Sequence, residues 1–264
     1  MAVEITWWGH ATASVRDSGT TVLTDPLFPR WLYLLRRRTG AVPPTTAHRA
    51  DVAVISHLHG DHLHLASLGR MEPGTTVVLP RGAVRAVPAL RRLARRRGLE
   101  LREVAAGDSL SVGTVRVRAV PAAHDGRRRP GARLRVEPLG FVIEGRARTY
   151  YAGDTGWFPG MAEAVGRVDT ALLPVGGWGP FLGPGHLDAR EAARVAALLA
   201  PAAAVPVHFG TFWPLGLEGV RPHEFSSPGD EFVRHTGRLA PGVRVHLLAP
   251  GQSVRPVPGN GDGG

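Results

Sequence analysis

The chain has 264 residues, 43% of them hydrophobic, and no cysteine. That length and core content suit one large α/β domain or two small ones, and the missing thiols exclude disulfides, thiolate metal sites and cysteine nucleophiles. The formal charge of +10 rests on 32 basic residues, every one an arginine. With abundant Ala, Gly and Pro this points to coding bias, which weakens charge as a functional signal. The clusters Arg36-Arg37-Arg38, Arg91 to Arg97 and Arg127-Arg128-Arg129 are therefore read as solvated faces and loops, although such clusters can attract phosphates. Met1 to Thr6 lacks the basic and apolar segments of a signal peptide. No apolar run approaches the ~20 residues of a membrane span, so the expected location is cytoplasmic.

In chain order, Val3 to Trp8 and Thr20 to Thr24 read as strands, with a turn at Asp17-Ser18-Gly19. Asp25-Pro26 ends the second. Leu27 to Ala50 reads as a long connection, either a lid or packed structure. Asp51 to Ile55 is an apolar strand, followed by a short helix at Leu63 to Leu68 and a strand at Thr76 to Leu79. Ala83 to Arg97 has helical periodicity with a kink at Pro88 and a stop at Gly98. Val115 to Val120 alternates strictly, so it is a half-buried strand with arginines outward. Leu139 to Glu144 and Arg148 to Tyr151 form a hairpin, and Thr170 to Pro174 is a buried strand. Asp188 with Glu191 signals a capping box at the start of a helix that ends before Pro201. Ala203 to Val207 is a strand, Asp230 to Thr236 a helix and Val243 to Leu248 a last strand. No repeat or linker divides the chain, so one domain is expected over 1–255, with a flexible tail over 256–264.

The densest chemical signal is Ser56-His57-Leu58-His59-Gly60-Asp61-His62, directly after an apolar strand. Histidine and aspartate are costly to bury unpaired, and four of them this close need a shared partner. A divalent cation is such a partner, because neutral imidazole nitrogens and carboxylate oxygens are its ligands. Three further strands end in ligand-type residues, at His124, Asp154 and His208. The sum is five imidazoles and two carboxylates, enough for two cations. Zn²⁺ suits this nitrogen-rich set best; Mn²⁺, Fe²⁺ and single occupancy are also compatible.

The elements His57-x-His59-x-Asp61-His62, His124, Gly153-Asp154 and His208, in this order over nearly the whole chain, resemble the metallo-β-lactamase superfamily. Several shorter motifs are similar to the branch of N-acyl-phosphatidylethanolamine phospholipase D and ascorbate-6-phosphate lactonase. They are Trp8-Gly9-His10-Ala11-Thr12, Thr24-Asp25-Pro26-Leu27-Phe28, Gly185-His186-Leu187-Asp188 and His208-Phe209-Gly210-Thr211-Phe212. The resemblance implies an α/β fold, the four-layer αβ/βα sandwich. It also implies a ligand set: His57, His59 and His124 for one metal, Asp61, His62 and His208 for a second, and Asp154 between them. His59 and Asp61 match hydrolases rather than the di-iron redox branch.

The chemistry expected is attack of a metal-activated hydroxide on an ester bond. Asp61 would orient the hydroxide and accept its proton, and His186 would contact substrate anion or protonate the leaving group. His10 and Asp25 would back the metal site. His48, His64, His223, His235 and His246 read as structural or exposed. Trp31-Leu32-Tyr33-Leu34-Leu35 beside three arginines suits an interfacial lid for an amphiphilic phosphodiester, which slightly favours that substrate over a sugar-phosphate or other lactone. Peripheral membrane contact is the most this segment implies. The competing classes are nucleic-acid processing, for which the separated arginine clusters lack aromatic interleaving, and metal binding without catalysis. Nothing in the sequence bears on oligomeric state.

Overall fold

The computed structural model describes residues 2–256. The first half of the chain comprises β1 (Glu4–Gly9), β2 (Thr12–Asp17), β3 (Thr20–Thr24), β4 (Trp31–Leu32), β5 (Leu35–Arg37), β6 (Val52–Val54), α1 (Leu65–Leu68), β7 (Thr76–Pro80), α2 (Ala83–Ala86), α3 (Ala89–Arg97) and β8 (Glu100–Val104). The second half comprises β9 (Ser109–Val112), β10 (Val115–Pro121), β11 (Leu139–Glu144), β12 (Arg148–Tyr151), α4 (Met161–Val165), β13 (Thr170–Pro174), α5 (Ala189–Leu199), β14 (Ala203–Val207), β15 (Phe212–Pro214), α6 (His223–Ser226), α7 (Pro228–Leu239), β16 (Arg244–Val245) and β17 (Ser253–Val254).

Two seven-stranded mixed sheets form, in the orders β17-β1-β2-β3-β6-β7-β8 and β16-β14-β13-β12-β11-β10-β9. Each has antiparallel strands on one side and parallel strands on the other. The parallel strands β7, β13 and β14 are buried at every residue, as strands covered on both faces must be. One core joins the sheets through Ile5, Trp7, Val15, Phe141, Tyr151 and Leu172. Burying a side chain of this size stabilises the fold by roughly 1.5–3 kcal/mol. A second cluster packs α1, α2 and α3 beneath the first sheet, around Leu58, Leu63, Leu79 and Leu90. The fold is the αβ/βα sandwich.

The structure adds strands that the sequence reading passes over. Thr12–Asp17 forms β2, paired with both β1 and β3; the reading kept the turn at Asp17 to Gly19 but not the strand entering it. β8 and β9 are largely solvent-facing edge strands, so their hydrophobic period is faint. The Leu27–Ala50 connection is part structure. β4 and β5 make a hairpin that pairs with β15, and Leu27, Leu32, Leu35 and Phe212 close a small core of their own. Trp31, Tyr33 and Leu34 at its tip remain exposed.

The helix expected over Ala83 to Arg97 is two helices separated at Val87-Pro88, and only Arg244–Val245 of the expected last strand pairs. Pro256 is buried, and 257–264 of the expected tail lies outside the described residues. The arginine reading also needs correction. Arg37 is 6% exposed; it donates to the carbonyls of Trp8 and Leu27 and lies over the Phe212 ring. A guanidinium presents five donors in a rigid plane, so it can hold separated carbonyls and stack on a ring at once.

Helix α5 is capped as its sequence signals: Asp188 Oδ1 accepts from Glu191 N at 2.8 Å, and Glu191 Oε2 accepts from Asp188 N at 3.2 Å. Asp188→Ala should therefore cost about 1 kcal/mol, seen as a Tm lower by about 2–4 °C in a melt followed by circular dichroism.

Candidate metal centre

Six strand ends deliver side chains to one place. His10 follows β1, Asp25 follows β3, and the loop after β6 carries His57, His59, Asp61 and His62. His124 follows β10, Asp154 follows β12 and His208 follows β14. Collecting polar groups where parallel strands end leaves the core undisturbed. The turns are sharp: His10, Asp25 and His208 have φ of +52°, +31° and +62°. Left-handed backbone at non-glycine residues costs on the order of 1–3 kcal/mol and persists only where neighbours enforce it. Here they do, because His208 N donates to His10 O at 2.9 Å and His10 N donates to Thr211 Oγ1 at 2.8 Å. Gly153, at φ +62°, sets up Asp154; any Cβ there would lie 2.5 Å from that of Ser56.

Two clusters emerge whose ligand atoms lie within 4.8 Å of one another: His57, His59 and His124, and His10, Asp61, His62 and His208. Asp154 stands between them. Its Oδ2 is 3.1 Å from His62 Nε2 and 4.0 Å from His57 Nε2, and its Oδ1 is 3.3 Å from His208 Nε2. All seven residues expected as ligands are thus brought together. His186 joins them from the loop before α5, with Nε2 3.3 Å from Asp154 Oδ2. His64 stays outside and caps α1.

The imidazoles are tied by their outer nitrogens. His124 Nδ1 donates to Gly185 O at 2.8 Å, and His208 Nδ1 donates to Gly176 O at 3.0 Å. His62 Nδ1 donates to Asp25 Oδ2 at 2.6 Å. The Ser56 hydroxyl donates to Asp25, leaving Oγ to accept from His57 Nδ1 at 2.9 Å. Each ring thereby turns Nε2 inward, the arrangement that orients a metal-ligating histidine. The inward nitrogens crowd: His57 Nε2 is 2.9 Å from His59 Nδ1, which is 3.2 Å from His124 Nε2. Asp154 Oδ1 is buried among them without a hydrogen-bond partner. Facing lone pairs and an orphaned carboxylate oxygen fit divalent cations. A closed packing arrangement would leave neither.

The titration of the groups agrees. Burial, with His62 nearby, holds His57 well below the ordinary imidazole range, and burial brings His124 down to about 4. His59 is also lowered by burial. His10 falls to about 4 through burial and His208. Against the cost of burial, Asp61 is held well below the usual carboxylate range by His62, His10 and His208. Asp154 is held there by His208, His62 and His186, again against burial. Neutral rings and ionised carboxylates are the forms that bind metal. His62 is the exception. Burial opposes its charge, but Asp154, Asp61 and Asp25 raise it well above the ordinary range.

Asp25 holds His62 from behind, as the sequence expects, whereas His10 both bonds Asp61 and stands among the donor atoms of the second cluster. Three other residues went unassigned. Ser56 sits inside the motif; Tyr151, three residues before Asp154, donates its hydroxyl to Asp25 Oδ2; Arg128 belongs to an arginine run that signals only charge. A groove of about 990 Å³ opens beside His124, walled by Ala123, Asp125, Arg127, Arg135, Pro138 and Gly185.

The chain is similar to known proteins of one superfamily. The beta-lactamase superfamily domain pattern matches residues 20–209. A UPF0173 metal-dependent hydrolase of Methanopyrus kandleri is 30% identical over 262 residues, covering 95% of this chain and 99% of that protein. Another, from Caldivirga maquilingensis, is 32% identical over 252 residues, covering 93% and 94%. The solved structure of Igni18, a metallo hydrolase of Ignicoccus hospitalis, superposes with a TM-score of 0.70 at 22% identity, covering 96% of this chain and 98% of that one.

Since Asp25 fixes His62 directly and His57 through Ser56, Asp25→Asn should weaken metal binding by about 10- to 100-fold. Competition against a chelator, with far-UV circular dichroism as the control for folding, measures this.

Proposed function

The chain belongs to the β-lactamase superfamily and, within it, to the UPF0173 metal-dependent hydrolases, and from that premise we propose that it hydrolyses ester bonds with divalent ions held at this centre. The observation that carries the reading is the pair of donor clusters sharing Asp154. His57, His59 and His124 would hold one ion, Asp61, His62 and His208 the other, with Asp154 between; Zn²⁺ fits the nitrogen-rich set best. Ions bound there supply Lewis acidity toward the ester oxygen and bring the pKa of water near neutrality.

The remaining work falls to side chains. Contacts from His10, His62 and His208 all reach Asp61 at Oδ2. That leaves Oδ1 to orient the attacking water and take its proton. His186 holds its Nδ1 hydrogen on Gly183 O at 3.0 Å. Burial opposes its charge, but the bond to Asp154 raises its pKa, so Nε2 carries a proton suited to the departing oxygen.

The rim supports one substrate class over the other. Trp31, Tyr33 and Leu34 project from the β4–β5 hairpin at 48%, 79% and 76% exposure, and the Tyr33 ring lies against Gly60 of the metal loop. Arg36 covers the Trp31 ring at 5.5 Å. Apolar tips beside guanidinium groups at the edge of the centre suit an amphiphilic phosphodiester. The motifs similar to the phospholipase D and lactonase branch also support an ester.

Asp61→Ala, assayed at saturating metal because the substitution also removes a donor of the second ion, should lower kcat by about 10²- to 10⁴-fold; near-normal turnover at full metal content would remove Asp61 from the reaction. His186→Gln should slow alkyl esters far more than nitrophenyl esters, whose leaving groups need no proton. Serine at Trp31, Tyr33 and Leu34 together should depress turnover of a phosphodiester in mixed micelles and spare a short-chain soluble one. Activity on lactones with no response to micelles would replace the phosphodiester by the lactone. Failure of the metal-loaded protein on phosphodiesters, lactones and thioesters alike would leave a metal-binding protein.

A further inference from the structure

The segment between His124 and β11 is a strap laid across the metal loop. Val136 N donates to Gly126 O at 3.1 Å, and Arg127 and Arg135 pair as an antiparallel bridge, so residues 126–136 close on themselves immediately after His124. Closure depends on Gly126, where a Cβ would fall 1.6 Å from the Val136 carbonyl oxygen. The strap carries Arg128, whose Nη1 donates to three carbonyls of one loop: Leu58, His59 at 3.2 Å and Leu63 at 2.7 Å. Leu58 and Leu63 are fully buried. Their carbonyls accept no other hydrogen bond among the described residues, whereas His59 O also receives His62 N and Leu63 N. A buried carbonyl left unsatisfied is costly, so the loop holds this curvature only while the guanidinium is seated. Arg128 forms no carboxylate ion pair among the described residues; its neighbour Arg127 takes Asp125.

We propose that Arg128 is a positioning residue that sets the geometry and affinity of the His57-His59-His124 metal site, by fastening the loop bearing the first two ligands to the segment leaving the third. This rests on the metal-centre reading above. The chain leaves His124 and returns, through one side chain, onto the backbone on both sides of His59, closing a ring around three nitrogen donors. Asp61 and His62 share that loop, but the second cluster has fastenings of its own. Asp61, His62 and His208 are held by His10, Asp25 and Gly176, none of them in the strap.

The test is titration of the metal-stripped full-length protein with Co²⁺, followed by its visible absorption bands and by chelator competition, with His57→Ala marking the equivalent that belongs to this site. Arg128→Met should bind that equivalent about 10- to 100-fold more weakly and with shifted bands, with a much smaller loss at the other, whose Asp61 and His62 keep His10 and Asp25. Arg128→Lys, which keeps the charge without the fork, should recover part of the loss. Gly126→Ala, which displaces the strap while keeping Arg128, should reproduce the shift by a separate route if Arg128→Met fails to fold. Wild-type affinity and bands in Arg128→Met, or in Gly126→Ala when only that variant folds, would overturn the proposal. So would equal loss at both equivalents. A wild-type protein that binds no Co²⁺ would overturn the metal centre along with it.

Discussion

One buried carboxylate organises the centre. Asp25 has no exposure to solvent and accepts from four donors: the Ser56 amide and hydroxyl, the Tyr151 hydroxyl and His62 Nδ1. Asp25 and Ser56 close strands of the first sheet, and Tyr151 ends a strand of the second. A carboxylate removed from water costs several kcal/mol unless its lone pairs are filled, so the two sheets can meet here only in the register that brings all four donors together. The same bonds determine which nitrogen of His62 and of His57 faces inward. Folding and ligand orientation are thus one constraint.

A second consequence is that the strained backbone at the strand ends is held by contacts between the sheets. The His10 carbonyl accepts from the His208 amide and from Trp7 Nε1, so two left-handed residues from different sheets brace each other. Trp7 in turn stacks on Phe209 at 5.2 Å, which extends the brace into the main core. The ligands therefore stand on a frame whose distortion would cost core packing. That stiffness is what a site needs if its donors are to converge before any ion arrives.

The sequence made much of this visible, for a physical reason. The candidate ligands His57, His59, Asp61, His62, His124, Asp154 and His208 follow strands with strong apolar periods, so both the strand and its chemically distinct end can be read. His10 and Asp25 were legible as support for the same reason. Ser56, Tyr151 and Arg128 were not, because a hydroxyl or guanidinium acting on a neighbour several strands away leaves no spacing pattern. β2 escaped because Ala, Thr and Ser blur its alternation. The β4–β5 hairpin escaped because its partner β15 lies far along the chain. Arg37 and Arg128 show the limit most clearly: within runs that read as solvent-facing charge, single guanidinium groups turn inward to serve carbonyls.

The centre and its surroundings answer to different constraints. Donors at strand ends are fixed by the sandwich itself, since moving any of them would break pairing in a sheet. The rim is built from segments that the sheets do not require. The β4–β5 hairpin touches the metal loop through Tyr33 at Gly60, and the 126–136 strap touches it through Arg128. Both reach the His57–Leu63 backbone, from different stretches of the chain, and both leave exposed side chains facing outward. Segments placed this way can change length and composition without disturbing the core, while Tyr33 and Arg128 keep them in contact with the loop that carries His57, His59, Asp61 and His62. The parts of the rim free to differ are therefore those two segments and the groove beside His124, above a sandwich that hosts many chemistries.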